Sequence, residues 1–294
     1  MKKKERNAKV IAYFNNKGGV GKTTLAVNHA CWKAHDPNNR VLIIDFDCQC
    51  NTSANFLGFA REELTGTPKT TTIANIPGFK NKGIKKLAPT DLITKAPNFN
   101  MYAIKGNSDI DTLWESDSAV SGKLDIVMKC VDELRPLFDY IIIDLGPRKT
   151  KSTLAALCAA DYVILPMTID PMAESGIDDF FTEMLPVCRQ YNPAITPLGI
   201  VLTRYKMMPT TIANYSYIIP PILFKYDIDE FSSKIRESNG FGNLLSVPTQ
   251  KKAGVNRAMN VLDKYIRQNY RQSYDDFEAF MAEVDKKINK IEKA

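Results

Sequence analysis

The sequence predicts a doubly wound α/β fold, a mostly parallel sheet with helices on both faces. Three observations predict it. Short apolar runs recur along the chain, among them Val10-Ile11-Ala12-Tyr13-Phe14 and Tyr140-Ile141-Ile142-Ile143. Strands apolar on both faces belong to parallel sheets covered by helices. Helical patterns separate these runs, which gives βαβ units. Finally, a glycine-rich turn follows the first run, and acids close two others, at Asp45 and Asp144. In such sheets ligands sit outside the carboxyl ends of the strands, where all three of these features fall.

The first strand leads into Asn15-Asn16-Lys17-Gly18-Gly19-Val20-Gly21-Lys22-Thr23-Thr24, and a helical pattern continues through Leu25 to Ala30. Strand, glycine-rich turn and helix in this order is the context a phosphate-binding loop requires, so a P-loop NTPase is expected. The glycines let the backbone approach a polyphosphate, and the N–H groups at the helix start point at the anion. Lys22 reaches the terminal phosphates and the Thr23 hydroxyl can ligate Mg²⁺. Gly18, Gly19, Val20, Gly21 and Thr24 complete the predicted nucleotide cradle. The segment is not the general G-x-x-x-x-G-K-[ST], whose first glycine would fall at Asn16.

The second strand, Val41-Leu42-Ile43-Ile44, ends in Asp45-Phe46-Asp47-Cys48-Gln49-Cys50-Asn51. Two carboxylates so spaced at a strand end can serve a metal and an attacking water. Residues 59–98 are polar and irregular, with a basic cluster at Lys80, Lys82, Lys85 and Lys86. Later strands are expected at 162–166 and 198–203, while Pro220-Pro221 interrupts the stretch 205–240. Residues 1–9 are expected to form a mobile basic arm, and 10–294 a single domain with no linker or repeat.

Composition narrows the class. The chain has 294 residues, 44% hydrophobic and 24% charged, as soluble globular proteins do. No apolar run approaches the about 20 residues of a membrane span. The start, Met1-Lys2-Lys3-Lys4-Glu5-Arg6, lacks a secretory apolar segment, so a cytoplasmic location is expected. The net charge of +6 hints at an acidic partner. Six scattered cysteines read as reduced thiols, and no Cys/His spacing fits zinc. His29 and His35 on the first helix read as packing or surface residues.

The segment K-G-G-V-G-K-T-T, with its extra Lys17, resembles the deviant Walker A box of the ParA/MinD ATPase superfamily. Asp45 to Asn51 is similar to the family's D-x-D-P-Q-x-N box, with Cys48 in place of Pro and Cys50 in place of a common Gly. Asp139-Tyr140-Ile141-Ile142-Ile143-Asp144-Leu145-Gly146-Pro147 resembles its Walker B box, with Leu145 and Gly146 departing from the usual small polar residue and Pro. Asn98 to Asn107 and Ala159 to Pro166 resemble two further family strands, and Leu244–Pro248 stands where the last would be. The family's segment near that strand is absent, with Lys251-Lys252-Ala253-Gly254-Val255-Asn256 there instead.

The resemblance implies ATP and Mg²⁺ as ligands. It implies that Lys17 crosses a dimer interface to the partner's phosphates, and that Asp45 takes the metal side and Asp47 the water side. Asp144 would hold Mg²⁺ through water. It also implies an ATP-dependent homodimer, weak hydrolysis quickened by a ParB-like or other adaptor, and a partition cycle on nucleoid DNA carrying plasmid, chromosome or protein cargo.

Two C-terminal helices bear on the branch. On a helical wheel Arg257, Lys264, Arg267 and Arg271 share one face, opposite Val255, Met259, Leu262 and Ile266. Such a basic face suits non-specific double-stranded DNA. The alternative is a membrane-positioning ATPase of the MinD kind, which would use a terminal amphipathic helix. Phe277, Phe280, Met281, Val284, Ile288 and Ile291 form one stripe, but acids mix with lysines on the polar side. Membrane-surface helices prefer a basic face, so packing on the core or a dimer partner is expected here.

Overall fold

The computed structural model describes residues 6–65, 71–76, 87–97, 99–116, 123–170, 174–238 and 270–293. Seven strands form one sheet: β1 (Lys9–Tyr13), β2 (Val41–Phe46), β3 (Thr94–Lys95), β4 (Tyr102–Ile104), β5 (Tyr140–Leu145), β6 (Tyr162–Met167) and β7 (Thr196–Leu202). Their order is β3-β4-β2-β5-β1-β6-β7. All neighbours run parallel except the short β3, which pairs antiparallel with β4. The doubly wound sheet expected from the apolar runs is present. The β3 edge was not legible, because two residues carry no periodic signal.

Strands other than the short β3 feed two cores, as alternation along a pleated strand requires. Ile11 and Tyr13 face one side, with α1 (Lys22–Ala34) and α8 (Arg271–Ile291) covering it. Val10, Ala12 and Phe14 face the other. That side is covered by α2 (Ile110–Ser116), α3 (Asp125–Leu134), α4 (Lys151–Cys158), α5 (Glu174–Asp179), α6 (Leu185–Tyr191) and α7 (Pro209–Tyr226). A π turn, Phe180–Met184, joins α5 to α6 just before Pro186, which has no N–H to continue the regular ladder.

The C-terminal stripe packs on the core. Phe277, Phe280, Met281, Val284 and Ile288 are buried with α1 and the sheet, and only Ile291 is exposed. The N-terminal boundary needs correction. Lys9 opens β1 and its Nζ donates to Glu292, while Arg6 donates to Asp139. Backbone pairing with β5 and these ion pairs hold residues 6–9, so they are not part of a mobile arm. The Lys80–Lys86 cluster and Leu244–Pro248 lie outside the described residues.

Candidate functional site

The glycine-rich loop joins β1 to α1 beside the point where the winding of the sheet reverses. Gly19 and Gly21 take φ values of 75° and 87°, which L side chains rarely adopt. Gly21 caps α1, and no acid stands in that helix's first turn, so its positive end is left for an anion. The loop is pinned from the β6–β7 side of the sheet. Asn15 donates to the Pro166 carbonyl and accepts from the Lys17 N–H, each at 2.8 Å. The Thr203 hydroxyl, just past β7, donates to the Val20 carbonyl at 2.8 Å.

The two lysines of the loop do different things. Lys22 is buried and donates to the Lys17 carbonyl at 2.8 Å, closing the loop on itself. Burial pulls its pKa down to about 8, against the attraction of Asp144 and Asp47. Lys17 points away and pairs with Asp170, which follows β6. Asp170 also accepts from Thr168 at 2.6 Å. Lys17, Asp170, Thr203, Lys206 and Thr211 line a cavity of about 340 Å³ beside the loop.

Asp45, Asp47 and Asp144 come together, as the strand-end positions predict. All three are buried. Ser53 donates to Asp45 through both its N–H, at 2.8 Å, and its hydroxyl, at 2.7 Å. Thr52 donates to Asp144 at 2.7 Å. Burial raises the Asp144 pKa, and Asp45 adds to it, while the Thr52 and Thr23 hydroxyls pull it down. Asp45 is raised the same way, by burial first, with the Ser53 bonds opposing.

Asp47 donates its N–H to Asp45 at 3.2 Å and accepts the Gln49 N–H at 3.0 Å. Gly146 backs it: a Cβ there would come within 3.0 Å of the Asp47 Oδ1. The departure from Pro at this position therefore leaves room for the carboxylate. Cys50 holds a left-handed φ of 50°, which accounts for the glycine common there in the family. Burial and the nearby carboxylates push the Cys48 and Cys50 thiols up, so both stay protonated.

The donor set suits a hard divalent cation. Asp144 Oδ1 is buried without a hydrogen-bond partner, and the groups around it are oxygens. Among the described residues no three His, Cys, Asp or Glu form a complete cage. Mg²⁺ typically takes one or two carboxylates and fills its shell with water and phosphate, so the site fits it. Thr23, Asp45 and Asp144 are the residues that would hold it.

A family model described as "AAA domain" matches residues 8–196. The chain belongs to this family of ParA/MinD-type ATPases. The chain is 29% identical over 200 residues to the chromosome partitioning protein ParA of Myxococcus xanthus, covering 67% of this chain and 65% of that one. It is 29% identical over 207 residues to the chromosome-partitioning ATPase Soj of Treponema pallidum, covering 67% and 72%. Its fold is similar to a Cyanothece McdA variant in complex with ATP, with a TM-score of 0.74 at 18% identity, covering 95% and 97%. The P-loop fold of this ParA-type ATPase is thus shared with its structural neighbours.

Several residues that hold the loop and the carboxylates were not singled out from sequence: Asn15, Thr52, Ser53, Asp170 and Thr203. Thr52 and Ser53 directly follow the Asp45–Asn51 box, and Asp170 and Thr203 follow strands, so position at a strand end was the available signal. On the DNA side, Arg271 opens α8 with its side chain 82% exposed, 3.8 Å from Asp275. Arg257, Lys264 and Arg267 lie outside the described residues.

Proposed function

We propose that this chain is a partition ATPase that binds ATP with Mg²⁺, closes into a homodimer, and in that state holds double-stranded DNA without sequence preference. Hydrolysis, quickened by a ParB-like or other adaptor, then releases it. The cycle would segregate a plasmid or chromosome, or space a protein cargo, over the nucleoid in the cytoplasm. One observation carries this reading. The Lys17 side chain leaves its own loop for Asp170, while the Lys22 side chain folds back onto the loop. A second lysine with no place in its own phosphate site is free to serve another subunit's.

Asp45 and Asp144 would hold Mg²⁺ with Thr23, and the metal would neutralise charge on the phosphates. Asp47 would orient the attacking water. Burial of the α8 stripe in the core supports the DNA reading over a membrane one, because the apolar face a bilayer would need is already covered.

The test is binding of random duplex with ATP and with ADP, alongside anionic liposomes. The ATP-bound protein is expected to bind duplex far better than the ADP-bound protein. Replacing Arg267 and Arg271 with Ala should weaken binding about equally on all sequences and flatten the salt slope by roughly one per lost phosphate contact. A protein that ignores DNA and pellets with liposomes would overturn this reading.

A further inference from the structure

Thr52 and Ser53 are consecutive and fully buried, at the head of a π-helical turn, Thr52–Phe56. Successive helical side chains point about 100° apart, and these two reach different strands. Thr52 donates to Asp144 on β5, and Ser53 donates to Asp45 on β2. The direction of the Ser53 proton is fixed. The Gly106 N–H donates to Ser53 Oγ at 2.9 Å, so the hydroxyl proton goes to Asp45. Gly106 must be glycine for this: a Cβ there would come within 2.9 Å of the Asp45 carboxylate. Thr52 occupies Asp144 Oδ2 and leaves Oδ1 buried and unpartnered. π-helical turns are frequent at functional sites.

We infer that Thr52 and Ser53 form a paired clamp that sets the aim of both metal-side carboxylates, with Thr52 presenting the open oxygen of Asp144 to Mg²⁺. They are positioning residues, since they reach the metal only through Asp144 and Asp45. The turn that follows Asp47 is thereby linked to whether the metal side is correctly set. This rests on the ATPase reading above. Groups that orient metal ligands commonly change metal affinity by about 10- to 100-fold when removed.

The experiment titrates Mg²⁺ into the full chain with a fluorescent ADP analogue, starting in EDTA. Thr52→Val removes the hydroxyl and keeps the shape. It is expected to leave analogue affinity in EDTA unchanged and to raise the half-saturating Mg²⁺ about tenfold. Thr52→Ser should return the half-point to near wild type. Ser53→Ala should raise it by less, because the Ser53 N–H still reaches Asp45, and it carries the test if Thr52→Val does not fold. An unshifted half-point in Thr52→Val or, if that variant does not fold, in Ser53→Ala overturns the clamp. So does an equal shift in Thr52→Ser, or lost affinity in EDTA. A wild type whose analogue binding ignores Mg²⁺ overturns both the clamp and the ATPase reading. A Mg²⁺-dependent wild type with an unshifted variant overturns the clamp alone.

Discussion

Asp45 and Asp144 are direct partners across the parallel pair β2–β5. Neighbouring strands lie about 4.8 Å apart, so two buried carboxylates face each other at close range. Burial raises the pKa of both, and the neighbouring Asp45 charge raises that of Asp144 further. The sheet register thus builds a pair that a divalent cation relieves. The four hydrogen-bond donors around it, from Thr52, Ser53 twice and the Asp47 N–H, hold it together meanwhile.

Asp47 is the group expected to place the water. Asp47→Ala should keep ATP binding while lowering single-turnover hydrolysis by on the order of 10²-fold or more. Single-turnover assays with light scattering check this. Normal turnover would remove Asp47 from the role.

The two lysines should separate cleanly. Lys22→Ala should weaken nucleotide binding by roughly 10- to 100-fold, the worth of a hydrogen bond to a charged group. Lys17→Ala should bind nucleotide normally and fail to form a hydrolytically competent dimer. Asp170→Asn frees Lys17 from its ion pair and should lower the ATP concentration at which dimers form. Fluorescent-nucleotide titration and light scattering measure the three together, and persistent ATP-dependent dimerisation in Lys17→Ala would refute the trans role.

His29 supplies a pH dependence away from the site. It is fully buried, its Nδ1 lies 2.8 Å from the Tyr13 hydroxyl, and its Nε2 has no partner. Burial first, then Lys33, holds its pKa well below the ordinary 6.5. The unfolded chain therefore takes up a proton below pH 6.5 that the folded chain refuses. Stability is full above 6.5 and falls by up to about 1.4 kcal/mol per pH unit below it. Urea unfolding of wild type and His29→Gln at pH 7.5 and 5.5 checks the difference, which should shrink in the variant.

The thiols should be quiet. Of the six free cysteines only Cys48 is partly exposed, and its pKa is raised. This argues against oxidation sensitivity, which the two cysteines beside Asp47 invite from sequence alone. Mild peroxide should leave ATPase activity unchanged, and native protein should show at most one readily labelled thiol. A fast loss of activity that Cys48→Ser prevents would reverse the conclusion.

The nucleotide loop, the strand-end acids and the doubly wound sheet were legible because each is local. A glycine-rich turn, a four-residue apolar run and an acid at its end lie within a few positions of one another, and strand-end placement is common to all α/β sheets. Cys50 and Gly146 read as departures from the family pattern, and only tertiary structure gave them a reason. One takes the left-handed conformation, and the other backs Asp47. Tertiary structure alone also decided the partners of Lys17, Asp45 and Asp144. Asp170, Ser53 and Thr52 lie 153, 8 and 92 positions away from them, respectively. Such contacts depend on sheet register and on how a turn folds back over it. Sequence spacing specifies which residues share one element, whereas packing of elements against each other decides which side chains meet.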